Sequence, residues 1–331
     1  MRTSLERGAG LLMPISSLPS PFGIGTLGAA AYEFVDWLKR ARQKYWQVLP
    51  GGPTSYGDSP YQSFSAFAGN PYFIDLDTLV KEGLLTYEEI NACYWGENPS
   101  KVAYDAIFYY RFPLLRKAFE RSGHKGTEAF EDFCRENENW LPDYSLYMAC
   151  KAHFEHREWL TWDEDIRFRK PEAVKKYGEM LGEDVEFWQF LQYKFFEQWN
   201  KLRIYANDQG IKIIGDIPIY VALDSADVWV HPELFQLDKK DFTPLRVAGV
   251  PPDAFSDDGQ LWGNPLYDWD RLEETDFAWW KDRMKSLARL YDIVRIDHFI
   301  GVVEYYSIPY GATDGKTGEW RKGPGKKLTD A

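Results

Sequence analysis

Two stretches of the sequence share one design and decide the fold. Residues 211–218 read IKIIGDIP, and residues 292–297 read DIVRID. Each is a short apolar run, rich in β-branched residues, that ends in an acid, Asp216 in the first run and Asp297 in the second. Such runs predict buried strands. In parallel α/β folds the carboxyl ends of the strands build the active site, so we expect both acids to face one crevice.

The sequence outward from these runs repeats a strand and helix pattern. An apolar run at 11–15 is followed by an amphipathic helix at about 29–43 and by a second buried strand at 45–49, which together predict a βαβ unit. Another amphipathic helix, at about 277–290, precedes DIVRID. Strands that alternate with helices indicate an α/β fold with a parallel sheet, here a (β/α)8 TIM barrel.

Two insertions interrupt this pattern. Residues 73–206 show long stretches of helical spacing and predict a mostly helical insertion, whereas residues 219–268 predict a loop-rich one. Only about the first four barrel strands are visible, and at roughly 30 residues per βα unit about 120 residues of a complete barrel are absent. We therefore expect residues 1–331 to be the N-terminal part of one catalytic barrel domain of a longer enzyme, with the final GEWRKGPGKKLTDA in a loop.

Composition narrows the classes of partner. The chain has 51 acidic and 39 basic residues, a net charge of -12, which repels nucleic acid and anionic lipid surfaces. Aromatic residues make up 17%, including 14 Trp and 21 Tyr, and rings with a polar tip suit the flat faces of sugars. Most of these rings are nevertheless expected to pack the core.

The cysteines and the N-terminus indicate a compartment. Cys93, Cys134 and Cys150 form no CxxC pair and are odd in number, which favours free thiols in a reducing environment. The first residues lack the uninterrupted apolar region of a signal peptide, and no 18-residue apolar run occurs. We expect a cytoplasmic protein.

The second acidic strand carries a candidate catalytic pair. Side chains alternate along a strand, so Arg295 and Asp297 point the same way while Val294 and Ile296 point into the packing. An adjacent guanidinium keeps a carboxylate ionised and oriented, as a glycosidic nucleophile requires. The alternative is a structural ion pair at a strand end, with Asp216 capping the next helix.

Four longer segments carry a resemblance to a known family. They are GDIPIYVALDSADVW at 215–229, VRIDHFIG at 294–301, SYGDSPYQSFSAFAGNPYFIDL at 55–76 and AGVPPDAFSDDGQLWGNPLYDW at 248–269. The first two resemble the first and second short regions shared by the α-amylase clan, in the form peculiar to the amylomaltases, or 4-α-glucanotransferases, of glycoside hydrolase family 77. The resemblance runs over essentially the whole chain.

The resemblance implies roles for the residues at the strand ends. Asp297 is implied as the nucleophile, Arg295 as its partner and Asp216 as an acid that supports the donor site. His298 is similar to the histidine of the family motif. Ile300 departs from the arginine that many relatives carry after the DHF triplet, which puts a local salt bridge in doubt.

The resemblance also implies sugar contacts in the loops. Tyr61 matches a ring that lines the sugar next to the cleaved bond, with Ser59 nearby. Tyr56 and Tyr104 resemble aromatics that guide a glucan chain, and Trp262 with Gln260 belongs to a loop that folds over the groove. Without the resemblance, each of these residues would more often be expected to serve a loop or the packing of the core.

The implied activity is transfer of an α-1,4-glucan segment from a maltooligosaccharide, starch or glycogen-type donor to the 4-hydroxyl of glucose or an acceptor glucan. It is a retaining double displacement through a covalent glucosyl-Asp297 intermediate, without cofactor or metal. The family's acid/base glutamate and transition-state-stabilising aspartate are implied to follow Ala331, so this chain alone is expected to be nearly inactive. An α-glucan hydrolase and a non-catalytic glucan-binding protein remain as alternatives.

Two further patterns point to other classes of site. Gly23, Gly25 and Gly28 spell GxGxxG before a helix, but two prolines separate them from the strand and no acid ends the next strand, so a dinucleotide site is not expected. His153 and His156 are predicted to share a helix at a spacing that could hold a metal, without a convincing third ligand. The pairs Asp75 with Asp77 and Asp257 with Asp258 lack the ladder of a calcium loop.

Overall fold

The computed structural model describes residues 7–55 and 57–331. Eight strands occur in this part of the chain: β1 (Gly10–Leu12), β2 (Tyr45–Gln47), β3 (Lys212–Pro218), β4 (Arg246–Val250), β5 (Gln260–Pro265), β6 (Ile293–Asp297), β7 (Glu304–Pro309) and β8 (Glu319–Lys322). The helices are α1 (Ala29–Arg40), α2 (Leu76–Lys81), α3 (Tyr87–Asn91), α4 (Tyr104–Arg121), α5 (Glu128–Glu136), α6 (Leu141–His153), α7 (Glu164–Arg167), α8 (Pro171–Met180), α9 (Gly182–Asp208), α10 (Ala226–Val230), α11 (Trp269–Glu274), α12 (Ala278–Leu290) and α13 (Lys326–Asp330). Among these residues no helix is both long and apolar enough to cross a membrane.

The parallel sheet has the strand order β1-β2-β3-β6, and every neighbouring pair in it is parallel. Successive strands are therefore spatial neighbours, and helices connect them, as in the first half of a (β/α)8 barrel. The predicted βαβ unit and the two acidic strands are all present, so the predicted fold is confirmed. The first strand is shorter than predicted, because the chain turns into a 3-10 helix at Ile15–Ser17.

The connection between β2 and β3 contains eight helices, α2 to α9. The 27-residue helix α9 runs through this segment and packs against α1, α4, α5, α6 and α8, and its far end contacts β3. Trp199 on α9 donates its indole N–H to the carbonyl of Leu290, 2.9 Å away, and so ties the helical segment to the end of α12. The helices and the parallel sheet share one apolar core, which contains most of the buried tryptophans and phenylalanines.

A second sheet, with order β5-β4-β7-β8, is antiparallel throughout. The segment predicted as a loop-rich insertion, 219–268, contains the short elements α10, β4 and β5 among its loops. The prediction of a loop for the last fourteen residues was wrong, because β8 and α13 lie there. β8 is polar and largely exposed, as is usual for an edge strand, so it lacks the alternation of apolar residues by which a strand is recognised.

Packing of β3 against the helices decides which way its acid points. A Cβ on Gly215 would lie 2.2 Å from the ring of Tyr291, so only glycine lets this ring approach the strand. Tyr291 follows α12 and is buried among the helices. Because neighbouring side chains on a strand point to opposite faces, Asp216 points away from the helices, towards the interior of the curved sheet.

Candidate active site

Arg295 joins two carboxylates on neighbouring strands. The register of β3 and β6 places Asp216 directly opposite Arg295, so both side chains rise from the same face of the sheet. One guanidinium nitrogen of Arg295, Nη1, donates to both oxygens of Asp216 at 2.7 Å, and Nη2 donates to Oδ1 of Asp297 at 2.5 Å. The predicted Arg295–Asp297 pair is present, and Asp216 extends it to a triad of alternating charge.

The two acids of this triad lie in different surroundings. The side chain of Asp216 is 1% exposed, whereas that of Asp297 is 40% exposed and that of Arg295 is 46% exposed. Partial burial lowers the pKa of Arg295, but hydrogen bonds and charge attraction from Asp216 and Asp297 outweigh this effect and raise the pKa above its ordinary value. The guanidinium is therefore permanently charged. The buried Asp216 holds this guanidinium in place, and Asp297 is the acid that solvent or a ligand can reach.

Tyr61 completes the hydrogen bonding of the buried acid. Its hydroxyl donates to Oδ2 of Asp216 at 2.7 Å. Burial first, and then this hydrogen bond, raise the pKa of Tyr61 to about 12, so the phenol keeps its proton. Ser59 holds the turn before the ring, since its Oγ accepts from the amide of Tyr61 at 3.3 Å. The Tyr61 ring is thus fixed beside the acids, while the Ser59 side chain serves its own loop.

His298 and Trp262 form the next part of the site. The two rings meet edge to face with centroids 4.8 Å apart, and Trp262 donates its indole N–H to Oε1 of Gln260 at 3.0 Å. His298 has a left-handed backbone, φ 53°, at the point where the chain leaves β6. Burial lowers the pKa of His298, only partly offset by Asp297, so the imidazole is neutral at physiological pH. Its Nε2 is buried and has no hydrogen-bond partner among the described residues.

Sequence reasoning missed a polar link between these two loops. Gln62, next to Tyr61, donates to the side-chain oxygen of Asn264 at 3.0 Å and approaches the carbonyl of Trp262 at 3.4 Å. Asn264 in turn donates to the carbonyl of Val221 at 2.8 Å. Gln62 and Asn264 lie inside the segments that carried the resemblance, and this position was the one signal in the sequence that could have indicated the link. The link joins residues 200 positions apart and holds the Tyr61 and Trp262 loops together.

Three other predicted positions take no part in the contacts described for this cluster, and one of them is not described by the structure. Tyr104 begins α4, and its ring lies 6.4 Å from that of Tyr72. Burial, followed by the charge of Asp58, raises the pKa of Tyr104. Tyr56 lies outside the described residues. Ile300 is 53% exposed just beyond β6.

The structure argues against a helix-capping role for Asp216 and against a phosphate site at the GxGxxG loop. Asp216 caps no helix, because its oxygens accept from Arg295 and Tyr61. The GxGxxG loop packs on a buried acid, since a Cβ on Gly28 would lie 2.0 Å from the carboxylate of Asp75, and a negative charge there opposes phosphate binding.

The paired-histidine prediction needs correction. His153 is the last residue of α6, whereas His156 lies beyond the helix end with φ 61°, so the two do not share a helical face. The helix ends because Phe154 leaves the helical conformation and Glu155 and His156 both adopt positive φ. Within residues 7–55 and 57–331, no group of three or more His, Cys, Asp or Glu side chains is arranged to hold a metal ion.

Comparison with known proteins identifies the family of the chain. The profile of the glycoside hydrolase 77 family, described as 4-alpha-glucanotransferase, matches residues 13–331. A 4-alpha-glucanotransferase of Clostridium butyricum is 55% identical over 96% of this chain and 65% of its own length. One of Streptococcus pneumoniae is 50% identical over 98% of this chain and 64% of its own length. The chain thus spans about 65% of the length of these relatives.

Solved structures agree with the fold. An amylomaltase from Streptococcus agalactiae in complex with acarbose superposes with a TM-score of 0.95 at 46% identity, covering 98% of this chain and 66% of that one. An amylomaltase from Corynebacterium glutamicum, at 19% identity, shares the fold with a TM-score of 0.77, covering 97% of this chain and 45% of that one. With a family profile that matches nearly the whole chain and relatives at half or more identity, the chain belongs to glycoside hydrolase family 77, the 4-alpha-glucanotransferases.

Proposed function

We propose that this protein transfers α-1,4-glucan segments from a maltooligosaccharide, starch or glycogen-type donor to the 4-hydroxyl of glucose or an acceptor glucan. The triad of Asp216, Arg295 and Asp297 is the observation that carries the proposal. The names of the relatives support the reaction, and acarbose bound to the Streptococcus agalactiae amylomaltase supports a saccharide substrate. The three cysteines, free in the described structure, support a reducing compartment such as the cytoplasm.

Asp297 is the nucleophile of this proposal, because the other acid is fully engaged. Both oxygens of Asp216 accept from Arg295, one of them also accepts from Tyr61, and the side chain is buried. Asp297 accepts from Arg295 through Oδ1 at 2.5 Å and is 40% exposed. Its Oδ2 is therefore the oxygen that attacks the anomeric carbon, while Arg295 holds Oδ1 and so fixes the orientation of the carboxylate.

In the first half of the reaction, the Asp297–C1 bond forms as the glycosidic C–O bond breaks, and the leaving oxygen takes up a proton. The triad itself has no proton to give. Asp216 is surrounded by donors, and Tyr61 has a pKa of about 12 and directs its proton at Asp216. The acid must therefore come from a group outside the described cluster. General acid catalysis contributes about 10² to 10⁴ in rate, so turnover without such a group is expected to be slower by about that factor.

In the second half, the 4-hydroxyl of an acceptor attacks C1 and releases Asp297. Transfer prevails over hydrolysis only where water is kept away from the covalent intermediate. Trp262, braced against His298 and tied to the Tyr61 loop through Gln62, is the described ring best placed to exclude it. The Pro251-Pro252 segment, which leads from β4 towards β5, is proposed to form part of the same wall.

Product analysis tests the proposal. Residues 1–331 would be fused to the remaining C-terminal third of the Clostridium butyricum relative, the fusion incubated with maltotriose, and the products separated by chain length. Glucose together with maltopentaose and longer products is the expected result for a transferase. Glucose and maltose without longer products would indicate the hydrolase alternative. Binding of maltotriose without any turnover would indicate the non-catalytic alternative, for which a charged pair such as Arg295 and Asp297 is unnecessary.

A further inference from the structure

A second cavity, of about 290 Å³, lies away from the Arg295 triad. Four segments form its walls: Ser65 with Phe67 in the connection between β2 and α2, the start of α6, the α10 segment with the turn that follows it, and the start of α12. Its volume is near the lower end of the roughly 300–1,000 Å³ typical of small-molecule sites. None of the residues that bind each other in the Arg295 triad lines it.

The walls combine aromatic rings with carboxylates. Trp140, Tyr144 and Trp279 are all at least nine-tenths buried and supply apolar surface. The hydroxyl of Tyr144 is buried and has no hydrogen-bond partner within the described chain, although buried hydroxyls normally find one. Rings next to hydrogen-bonding groups are the combination that suits a sugar, which has apolar C–H faces and a rim of hydroxyls.

Each acid in the wall has a polar partner, and for two of them the partner is a cation. Asp143 accepts from Arg169 at 2.6 Å, and Asp282 pairs with Lys285 at 3.1 Å. Asp227, which is 5% exposed, accepts from the amide of Ala66 at 2.8 Å. Glu233 faces His231 at 3.5 Å. Asp143 and Asp282 thus have cationic partners, and each of the four carboxylates still has lone pairs that can accept from a hydroxyl.

We propose that this cavity is a second binding site for a neutral polyhydroxylated ligand of one or two sugar rings. Carboxylates of the wall accept its hydroxyls, and the aromatic rings cover its C–H faces. The volume excludes a long glucan from the interior, so the cavity takes a free sugar or the end of a chain. The inference does not depend on the proposed transfer reaction, because no residue of the triad takes part.

Calorimetric titration with maltose tests the site. The 331-residue chain would carry Trp262→Ala, which weakens any sugar contact at the triad, and a remaining one-site isotherm is expected. Ala278, exposed at the first turn of α12, lines the cavity, so Ala278→Trp should obstruct it and weaken maltose binding at least tenfold. Ala288→Trp is the matched control, since Ala288 is exposed on the same helix away from the cavity, and should leave the affinity unchanged.

A second variant keeps the test decisive if Ala278→Trp fails to fold, which its thermal unfolding would reveal. Asp282→Asn preserves the side-chain volume and replaces an ionised acceptor with a neutral one, so maltose should bind about fivefold more weakly. The proposal would be overturned if Ala278→Trp and Asp282→Asn both bound maltose as tightly as the Trp262→Ala parent chain. It would also be overturned if the parent chain bound no maltose. Binding of putrescine in place of maltose would overturn the assignment of a neutral ligand. Neither outcome depends on the maltotriose products of the fusion, which test the transfer reaction separately.

Discussion

Arg295 on β6 lies directly opposite Asp216 on β3, and a bidentate contact of 2.7 Å to each carboxylate oxygen locks the two strands together at the site. The same guanidinium holds Asp297 with its other terminal nitrogen. A buried acid thus orients the arginine, and the arginine orients the exposed acid. This division of roles decides which acid can react and which acid supports the structure, and the predictions follow from it.

Replacing the proposed nucleophile should abolish turnover and leave the fold intact. Asp297→Asn removes the attacking oxygen anion but keeps the shape of the side chain, so kcat for maltotriose in the fusion should fall by at least about 10⁴. Asn keeps the volume of the side chain at a position that is 40% exposed, so the packing around it should be preserved. Initial rates and the thermal midpoint would be measured together. A variant that retains more than a hundredth of the rate would show that another group attacks C1.

Removing the central guanidinium should destabilise the chain, because a buried carboxylate would lose its main partner. We expect Arg295→Ala to lower the free energy of unfolding by about 1–3 kcal/mol, since Asp216 would stay buried with only the Tyr61 hydrogen bond. Arg271→Ala is the control, because Arg271 pairs with Glu274 at the surface and should change stability by less than about 1 kcal/mol. Urea unfolding of the 331-residue chain provides both values. Equal losses for the two variants would contradict the structural role of Arg295.

The hydroxyl of Tyr61 should contribute to stability, and its ring should contribute separately to substrate binding. Tyr61→Phe keeps the ring and removes the 2.7 Å hydrogen bond to Asp216, so a loss of about 1–2 kcal/mol in unfolding free energy is expected. Tyr61→Ala removes the ring as well and should raise KM for maltotriose in the fusion beyond the effect of Tyr61→Phe. Steady-state kinetics of both variants would separate the effects. Indistinguishable KM values would exclude a sugar contact by the ring.

Trp262 should control the fate of the covalent intermediate. Trp262→Ala opens the wall beside His298, so the ratio of transfer to hydrolysis in the fusion should fall severalfold as water gains access. Trp320→Ala offers a comparison at a ring that is 47% exposed on β8. Glucose release would be measured against the formation of longer maltooligosaccharides. A ratio that stays the same in Trp262→Ala would assign water exclusion to another part of the site.

Stability should depend on pH through Asp227. Burial raises the pKa of Asp227 from 3.8 to about 6, against the lowering effect of the Ala66 amide, Arg283 and His231. The folded state therefore binds the proton more tightly than the unfolded state. The stabilisation is complete below about pH 4 and is lost as pH rises through about 6.

Asp227→Asn stays neutral and can still accept from the Ala66 amide, so it should not show this loss. Relative to the parent chain, the variant should gain about 2–3 kcal/mol between pH 4 and pH 7 in urea unfolding. Asp270→Asn, at an exposed position in α11, is the control and should show no such gain. A constant difference between Asp227→Asn and the parent across this pH range would mean that Asp227 ionises normally in the folded state.

Much of the fold could be predicted because its signals are local. The alternation of helices with short β-branched runs indicated the parallel sheet, and the order of its four strands agrees. The antiparallel sheet escaped prediction because β8 is polar and largely exposed, and because the register of β4 with β5 is irregular between Val247 and Gly249. An exposed edge strand such as β8 carries no apolar period, and the pairing of β4 with β7 depends on residues distant in sequence.

For the site, the sequence by itself determined that Arg295 and Asp297 share one side of their strand, because side chains alternate with a period of two. Only the tertiary structure decided that Asp216 lies opposite Arg295, since the register of two parallel strands some 80 residues apart is set by the packing of the helices between them. The same holds for the link from Gln62 to Asn264, which spans 202 residues. Local geometry follows from the order of residues, whereas contacts between distant segments follow from how the chain buries its core.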